Sequence, residues 1–162
     1  MAADIKALYQ EVILDHNRKP RNYGVLANPT HHAEGLNPLC GDHINVALYL
    51  AGDTIDAIAF EGESCAICKA SASMMTVAVK GKRRDDAQCL VREFVDMATG
   101  RLEAAGGRPI GRLAVFAGIS ELPMRVKCAI LPWHTLQAAF NAVATTSTEA
   151  DDDPMHAPIG DA

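Results

Sequence analysis

The hydrophobic period changes from about 3.6 residues to two and back again along this chain, which restricts the fold to helices combined with a sheet. Residues 4–17 carry apolar side chains at helical spacing. Residues 44–50 then alternate in hydrophobicity, Gly52-Asp53 is typical of a turn, and residues 55–60 form a second apolar run. These patterns predict an N-terminal helix followed by a β-hairpin.

Helical patterns return after the hairpin. They predict helices over residues 65–79, 85–98 and 113–119, and a last helix that begins after Pro132, a residue suited to a first helical turn. The order of one helix, a pair of strands and then several helices is typical of the α+β class. We therefore expect a small antiparallel sheet of about three strands packed against helices.

The chain of 162 residues is long enough for one domain. Residues 28–41 and 100–111 are rich in turn-forming side chains and are predicted to be loops. From residue 145 onward the chain has almost no large apolar side chains. We expect a single domain over residues 1–144 and an acidic, disordered tail over residues 145–162.

Charge and composition exclude several classes of function. The net charge is −5, and the five acidic residues from Glu149 onward have no Lys or Arg among them, so the rest of the chain is formally neutral. A neutral body with 5% aromatic residues argues against nucleic acid as a partner. The N-terminus lacks the pattern of a secretory signal, and apolar runs are too short for a membrane span. We expect a cytoplasmic protein whose five cysteines are free thiols.

Three of the cysteines lie beside boundaries of predicted elements. Cys40 precedes the first strand, Cys65 follows the hairpin, and Cys128 is expected just before the last helix. Asp42 projects to the same side of an extended chain as Cys40. Three thiolates and a carboxylate suit tetrahedral zinc, and thiolates also suit iron–sulfur clusters. The alternative is that the cysteines are small buried hydrophobic residues and that Asp42 only forms a turn.

Other candidate ligands are more ambiguous. Cys65 and Cys68 form a C-x-x-C pair, in which Cys68 is a spare ligand, a resolving thiol or a small residue packed in a helix. A thioredoxin-like oxidoreductase is disfavoured because no βαβ pattern surrounds the pair. His43 and His134 are kept as reserve ligands, although lone histidines are more often structural.

Three cysteine motifs carry a resemblance to a known family. They are Asn37-Pro-Leu-Cys-Gly-Asp42, Gly62-Glu-Ser-Cys-Ala-Ile-Cys68 and Arg125-Val-Lys-Cys-Ala129. In this order they resemble the motifs of the IscU/NifU/SufU family of iron–sulfur assembly proteins, and residues 8–22 are similar to that family's N-terminal helix and loop. The resemblance covers about residues 5–143 and implies a SufE/NifU-like (IscU-like) fold.

Two features favour the SufU-type branch of that family. Lys127 stands where IscU proteins usually carry a histidine, and the segment 81–123 is longer than in IscU. Lys127 cannot act as the extra ligand that a histidine offers. The resemblance to this branch implies a zinc-dependent sulfurtransferase rather than a stand-alone enzyme.

The roles implied by the resemblance concern five residues. Zinc is bound through Cys40, Asp42, Cys65 and Cys128, and Arg125 helps the encounter with the partner protein. The partner is a SufS-type, PLP-dependent cysteine desulfurase, whose persulfide sulfur passes to Cys40 and whose turnover is stimulated. A SUF assembly scaffold or apo-proteins are the implied acceptors of the sulfur.

Three alternatives stay open. The first is a scaffold that assembles a transient 2Fe–2S or 4Fe–4S cluster and transfers it to apo-proteins. The second is a structural zinc protein without sulfur transfer. The third is a metal site in which Cys68 replaces Asp42 as a ligand.

Overall fold

A computed structural model describes residues 2–100 and 111–148 of the chain. In these ranges the helices are α1 (Ala2–Arg18), α2 (Ala66–Val79), α3 (Arg84–Ala98), a 3-10 helix (Gly111–Glu121) and α4 (Pro123–Phe140). The strands are β1 (His31–Asn37), β2 (Asp42–Ala51), β3 (Thr54–Glu63) and β4 (Thr145–Ser147). The predicted α+β class is confirmed.

The sheet has four strands in the order β3-β2-β1-β4. The β1–β2 and β2–β3 pairs are antiparallel, whereas β4 runs parallel to β1. The expectation of about three antiparallel strands is therefore wrong in the number of strands and in the direction of one of them. The expected start of the tail is also wrong for residues 145–147, since they form β4; residues 149–162 lie outside the described residues.

The predicted hairpin is present as β2 and β3, with Gly52 at a φ of +64° in the connecting turn. The predicted loop over residues 28–41 is wrong in its middle, because it contains β1. The three inward positions of β1 that are buried carry Ala33, Gly35 and Asn37. Small and polar side chains at inward positions remove the hydrophobic alternation by which a strand is recognised.

Helix α4 is the central helix of the fold. It begins at Pro123, nine residues before Pro132, although the sequence predicts a helix that begins only after Pro132. Pro123 occupies the first turn, and Pro132 lies inside the helix, where it lacks an N–H to donate. All residues from 128 to 140 are buried, so packing on every side stabilises the helix despite this proline. As a consequence Cys128 lies in the second turn of α4, and the prediction that it precedes the last helix is wrong.

The core forms where α2 and α4 pack against the sheet and α3 packs against α4. Trp133 of α4 stacks on Phe94 of α3 with ring centroids 4.5 Å apart, and its Nε1 donates to Ser71 Oγ of α2 at 3.0 Å. The helix predicted over residues 113–119 is found as the 3-10 helix, whose Phe116 packs edge-on against Phe94. The predicted connector 100–111 lies almost wholly outside the described residues.

The N-terminal helix, predicted over residues 4–17, is confirmed as α1. Its last turn is held against α2 by buried His16, whose Nδ1 lies 2.7 Å from Ser73 Oγ. The same hydroxyl oxygen accepts the backbone N–H of Arg21 at 2.8 Å. In the described part of the chain, the helices lack the length and apolar character that crossing a bilayer requires.

Candidate metal centre

Potential metal ligands from three parts of the fold meet at one end of the sheet. Cys40 lies in the turn 38–41 between β1 and β2, Asp42 is the first residue of β2, and Cys128 lies in α4. Their sulfur and carboxylate oxygen atoms all lie within 4.8 Å of one another. Cys65 joins this group from the N-terminus of α2, with its Sγ 3.8 Å from Asp42 Oδ2. The structure thus brings together the four residues singled out by the sequence.

The turn between β1 and β2 exposes one thiol and buries the neighbouring carboxylate. Gly41 has a φ of +72°, a backbone conformation that glycine adopts without strain, and the N–H of Cys40 donates to the carbonyl of Asn37 at 3.2 Å. The turn leaves Cys40 exposed to solvent, whereas Asp42 is only 2% exposed. Cys40 is therefore the donor of the centre that an incoming molecule reaches most easily.

Helix α2 contributes both a ligand candidate and a clamp for the carboxylate. Cys65 is the N-cap residue: its Sγ accepts the N–H of Cys68 at 3.4 Å, and its own N–H donates to Asp42 Oδ1 at 2.8 Å. The free N–H groups at the start of a helix stabilise negative charge. The hydrogen bond with Cys128 and the one from the Cys68 backbone lower the pKa of Cys65 to about 7, against the opposing effect of burial.

The pKa of Cys128 is shifted in the opposite direction from that of Cys65. Its Sγ lies 3.5 Å from Cys40 Sγ, and its hydrogen bond with Cys65, together with burial, raises its pKa. Cys65 is therefore the more readily ionised of these two thiols. A thiol must lose its proton to become a metal ligand, so metal binding at this centre would compete with protons. Thiols and a carboxylate this close together fit zinc or another thiophilic metal.

The two reserve histidines are not members of this group. His43 follows Asp42 in β2, and successive residues of a strand point to opposite faces. Its Nε2 lies 2.5 Å from Glu34 Oε2, and both side chains are about half exposed. His134 is buried six residues beyond Cys128 in α4.

The remaining candidates lie around the centre. Cys68 is fully buried in α2, and burial, more than any other effect, raises its pKa well above the ordinary value. It contributes a backbone N–H to Cys65, while its own thiol is outside the group formed by Cys40, Asp42 and Cys128. Arg125 is exposed in the first turn of α4, and Lys127 is half-buried beside Cys128.

Sequence reasoning missed Asn37. This residue ends β1, is fully buried, and points its Nδ2 at the centre, 3.4 Å from Asp42 Oδ2 and 3.7 Å from Cys128 Sγ. It opens the motif that contains Cys40 and Asp42, which was the only signal available. An amide has no place among the usual zinc ligands, so a search for thiols, imidazoles and carboxylates passes over it.

Comparisons with known proteins identify relatives of this chain. A sequence profile of the NifU-like N-terminal domain matches residues 8–149. Zinc-dependent sulfurtransferase SufU of Bacillus subtilis (strain 168) is 42% identical over 135 residues, which are 83% of this chain and 90% of that protein. Iron-sulfur cluster assembly scaffold protein IscU of Streptococcus pyogenes serotype M1 is 35% identical over 144 residues, which are 89% of each chain.

Solved structures share the fold. A crystal structure from Fervidobacterium islandicum AW-1, named as a candidate iron–sulfur cluster assembly scaffold protein for the SUF system, superposes with a TM-score of 0.76. The sequence identity is 32%, and the match covers 82% of this chain and 96% of that one. The IscU-like fold expected from the three cysteine motifs is confirmed.

Proposed function

This chain belongs to the NifU-like N-terminal domain family, and from that premise we propose that it acts in iron–sulfur cluster assembly as a zinc-dependent sulfurtransferase. It accepts persulfide sulfur on Cys40 from a SufS-type cysteine desulfurase. The observation that carries the proposal is the asymmetry of the centre. Cys40 is exposed, whereas Asp42 and Cys128 are buried and Cys65 is half-buried, so one donor can react while the others hold the metal.

The residues that would hold zinc are Cys40, Asp42, Cys65 and Cys128. Zinc supplies a charge that keeps thiolates deprotonated near neutral pH and takes no part in electron transfer. The protein's own contribution is to fix the carboxylate of Asp42 through the N–H of Cys65 and to keep the Cys40 thiol at the surface.

The sulfur transfer requires no added oxidant or reductant. The Cys40 thiolate attacks the outer sulfur of the desulfurase persulfide, a new S–S bond forms on Cys40, and the S–S bond on the desulfurase breaks. The desulfurase cysteine leaves as a thiolate and takes up a proton from water. Cys40 then carries the persulfide to the next acceptor.

Exposed apolar side chains beside the centre support a protein partner rather than a small substrate. Leu39, next to Cys40, is 53% exposed. Met124, in the first turn of α4, is 52% exposed, and its carbonyl oxygen lies 3.5 Å from Cys128 Sγ. Arg125 adds an exposed positive charge to the same turn. We assign this surface, formed by Leu39, Met124 and Arg125, to the desulfurase encounter.

The test is sulfur transfer from a cysteine desulfurase to single-cysteine variants. The wild-type protein is expected to gain sulfur, detected by the mass of the intact protein, and to stimulate cysteine turnover. Cys40→Ala loses both effects. Cys89→Ala is the matched control because it removes another exposed thiol, on α3, and it retains both effects. Full stimulation by Cys40→Ala would contradict the proposal.

A second candidate function is that of a cluster-assembly scaffold. The names of the Streptococcus pyogenes and Fervidobacterium islandicum relatives favour it, as does the affinity of thiolates for iron–sulfur clusters. Metal and acid-labile sulfide content after anaerobic purification distinguishes the two functions. A colourless protein with about one zinc per chain supports sulfur transfer, whereas a brown protein with matching iron and sulfide supports the scaffold.

A further inference from the structure

Asn37 links the candidate metal centre to the last strand of the sheet. Its Nδ2 faces Asp42 Oδ2 at 3.4 Å and Cys128 Sγ at 3.7 Å, while its Oδ1 lies 3.1 Å from the hydroxyl of Thr148. We propose that Asn37 is a positioning residue that holds the Asp42 carboxylate and the Cys128 sulfur in the arrangement that binds the metal. This inference rests on the proposed function and adds to it a residue that is not itself a ligand.

The chemistry of the neighbours determines which end of the amide faces the centre. An ionised carboxylate only accepts hydrogen bonds, and a metal-bound thiolate likewise only accepts. The NH₂ group is the one part of the Asn37 side chain that can donate to both. The carbonyl end is left to accept the hydroxyl of Thr148. Each end of the buried amide thus has a partner, as a buried polar group requires.

Asn37 completes the restraint of Asp42. The N–H of Cys65 binds Oδ1 at 2.8 Å, so one carboxylate oxygen is already fixed. The Oδ2 atom contacts Asn37 Nδ2 and, at 3.8 Å, Cys65 Sγ. Without Asn37 the carboxylate of Asp42 is held only by the hydrogen bond to its Oδ1 and can rotate about it. The buried, negatively charged Oδ2 then also loses a hydrogen-bond donor.

Asn37 also contacts the sulfur of Cys128, because hydrogen bonds to sulfur are longer than hydrogen bonds to oxygen. The distance of 3.7 Å is within the range of hydrogen bonds to sulfur. An N–H aimed at a thiolate partly offsets the repulsion among several negative donors gathered around one metal. Groups that orient ligands in this way change metal affinity by about 10–100-fold when they are removed.

The experiment compares zinc binding by the full-length wild type, Asn37→Leu and Ser73→Ala. Leucine has the same number of side-chain heavy atoms as asparagine, branched at the same carbon, but no hydrogen-bond donor. Ser73→Ala is the matched control because it also removes hydrogen bonds, a buried one with His16 and a half-buried one from the backbone N–H of Arg21. Ser73 lies eight residues along α2 from Cys65. Zinc dissociation constants are measured by competition with a chromophoric chelator, and stability by urea unfolding of the metal-free protein.

The dissociation constant of Asn37→Leu is expected to rise about 10–100-fold, while that of Ser73→Ala stays within about threefold of the wild type. The thiolate-to-metal absorption of the cobalt-substituted protein is expected to change in Asn37→Leu and not in Ser73→Ala. A purely structural role would lower the urea midpoint of both variants and leave both zinc measurements unchanged.

Two outcomes overturn the inference at different levels. A wild type that binds zinc, with Asn37→Leu binding it within threefold, removes the role of Asn37 and leaves the proposed function intact. A wild type that binds no zinc overturns the proposed metal and this inference with it. If Asn37→Leu does not fold, Asn37→Ala, which also lacks a donor but leaves space instead of filling it, is judged by the same threefold limit.

Discussion

At the scale of single residues, one buried hydroxyl connects the two helices that bear Cys65 and Cys128. Ser71 Oγ donates to the carbonyl of Ala129 at 2.5 Å and accepts from Trp133 Nε1 at 3.0 Å. Ala129 directly follows Cys128 in α4, and Ser71 lies in α2, whose N-cap is Cys65. A small polar residue in the core therefore links the two helices that carry these candidate ligands.

Replacing Ser71 by alanine is expected to lower the free energy of unfolding by about 1–3 kcal/mol, because the buried Nε1–H of Trp133 loses its acceptor. Urea unfolding followed by the fluorescence of Trp133, the one tryptophan of the chain, measures the effect. The exposed Thr54→Ala serves as the control, with an expected change within about 0.5 kcal/mol. An unchanged urea midpoint for Ser71→Ala would contradict this role.

At the scale of secondary-structure elements, β1 shows how a strand can escape detection and still organise the fold. It lies between β2 and β4, and Gly35 permits close approach to α4, because a Cβ at this position would overlap Thr135 Oγ1. Gly35 has no side chain, which weakens the strand pattern in the sequence. The packing of β1 against α4 requires this absence.

The last strand is expected to stabilise both the sheet and the metal centre. Truncation after residue 144 removes β4 and the hydroxyl of Thr148, whereas truncation after residue 148 retains both. Loss of the β1 partner and of the Asn37 contact predicts a lower urea midpoint and weaker zinc binding for the shorter chain. Comparing the two truncated proteins isolates residues 145–148, and equal values in both measurements would refute the prediction.

The start of β1 carries a histidine whose charge the fold disfavours. Burial, and secondarily the nearby Arg84 guanidinium, lowers the pKa of His31 from its ordinary value of 6.5. The unfolded chain therefore binds a proton at this residue at higher pH than the folded chain does. The contribution of His31 to stability is complete above pH 6.5 and is lost as the pH falls through the lower folded value.

NMR titration of the His31 imidazole tests this pH dependence. We expect a pKa below 6.5 in the wild type and a rise in Arg84→Gln. The matched control is Arg83→Gln, since Arg83 is the exposed neighbour that pairs with Asp53 at 3.8 Å. A value for Arg84→Gln no higher than that of the control would show that the guanidinium has no influence on His31.

At the scale of the whole molecule, the proposed metal would join parts of the chain that are distant in sequence. Cys40 and Cys128 are 88 positions apart, and Asp42 and Cys65 are 23 apart. A ligand that binds the folded state alone stabilises it, by about 4 kcal/mol when its free concentration is a thousandfold above the dissociation constant. Zinc bound at this centre would therefore hold the sheet, α2 and α4 together.

Zinc removal is expected to lower the melting temperature of the wild type by roughly 8–16 °C, at about 2–4 °C per kcal/mol for a chain of this size. Thermal unfolding with and without a chelator measures the shift. Cys128→Ser, which lacks one proposed ligand, is expected to show a much smaller difference between the two conditions. Identical melting curves for the wild type with and without chelator would rule out a stabilising metal.

Much of this fold could be predicted because its strongest signals are local. The hydrophobic patterns of α1, α3 and the β2–β3 hairpin can be read from the residues of each segment alone. Those elements were found where they were expected. The signals failed where packing overrode them: Pro132 suggested a helix start but lies inside α4, and the small and polar inward positions of β1 suggested a loop. The metal-binding role of the four donor residues stays a prediction.

By itself, the sequence determined the α+β class, most of the helices, the hairpin and the candidate donors Cys40, Asp42, Cys65 and Cys128, because hydrophobic period and short motifs are properties of neighbouring residues. Only the tertiary structure decided that β4 joins the sheet, that His43 turns away towards Glu34, and that Asn37 reaches Cys128 from 91 positions away. Such contacts depend on how the helices pack against the sheet, and no local pattern of residues specifies that packing.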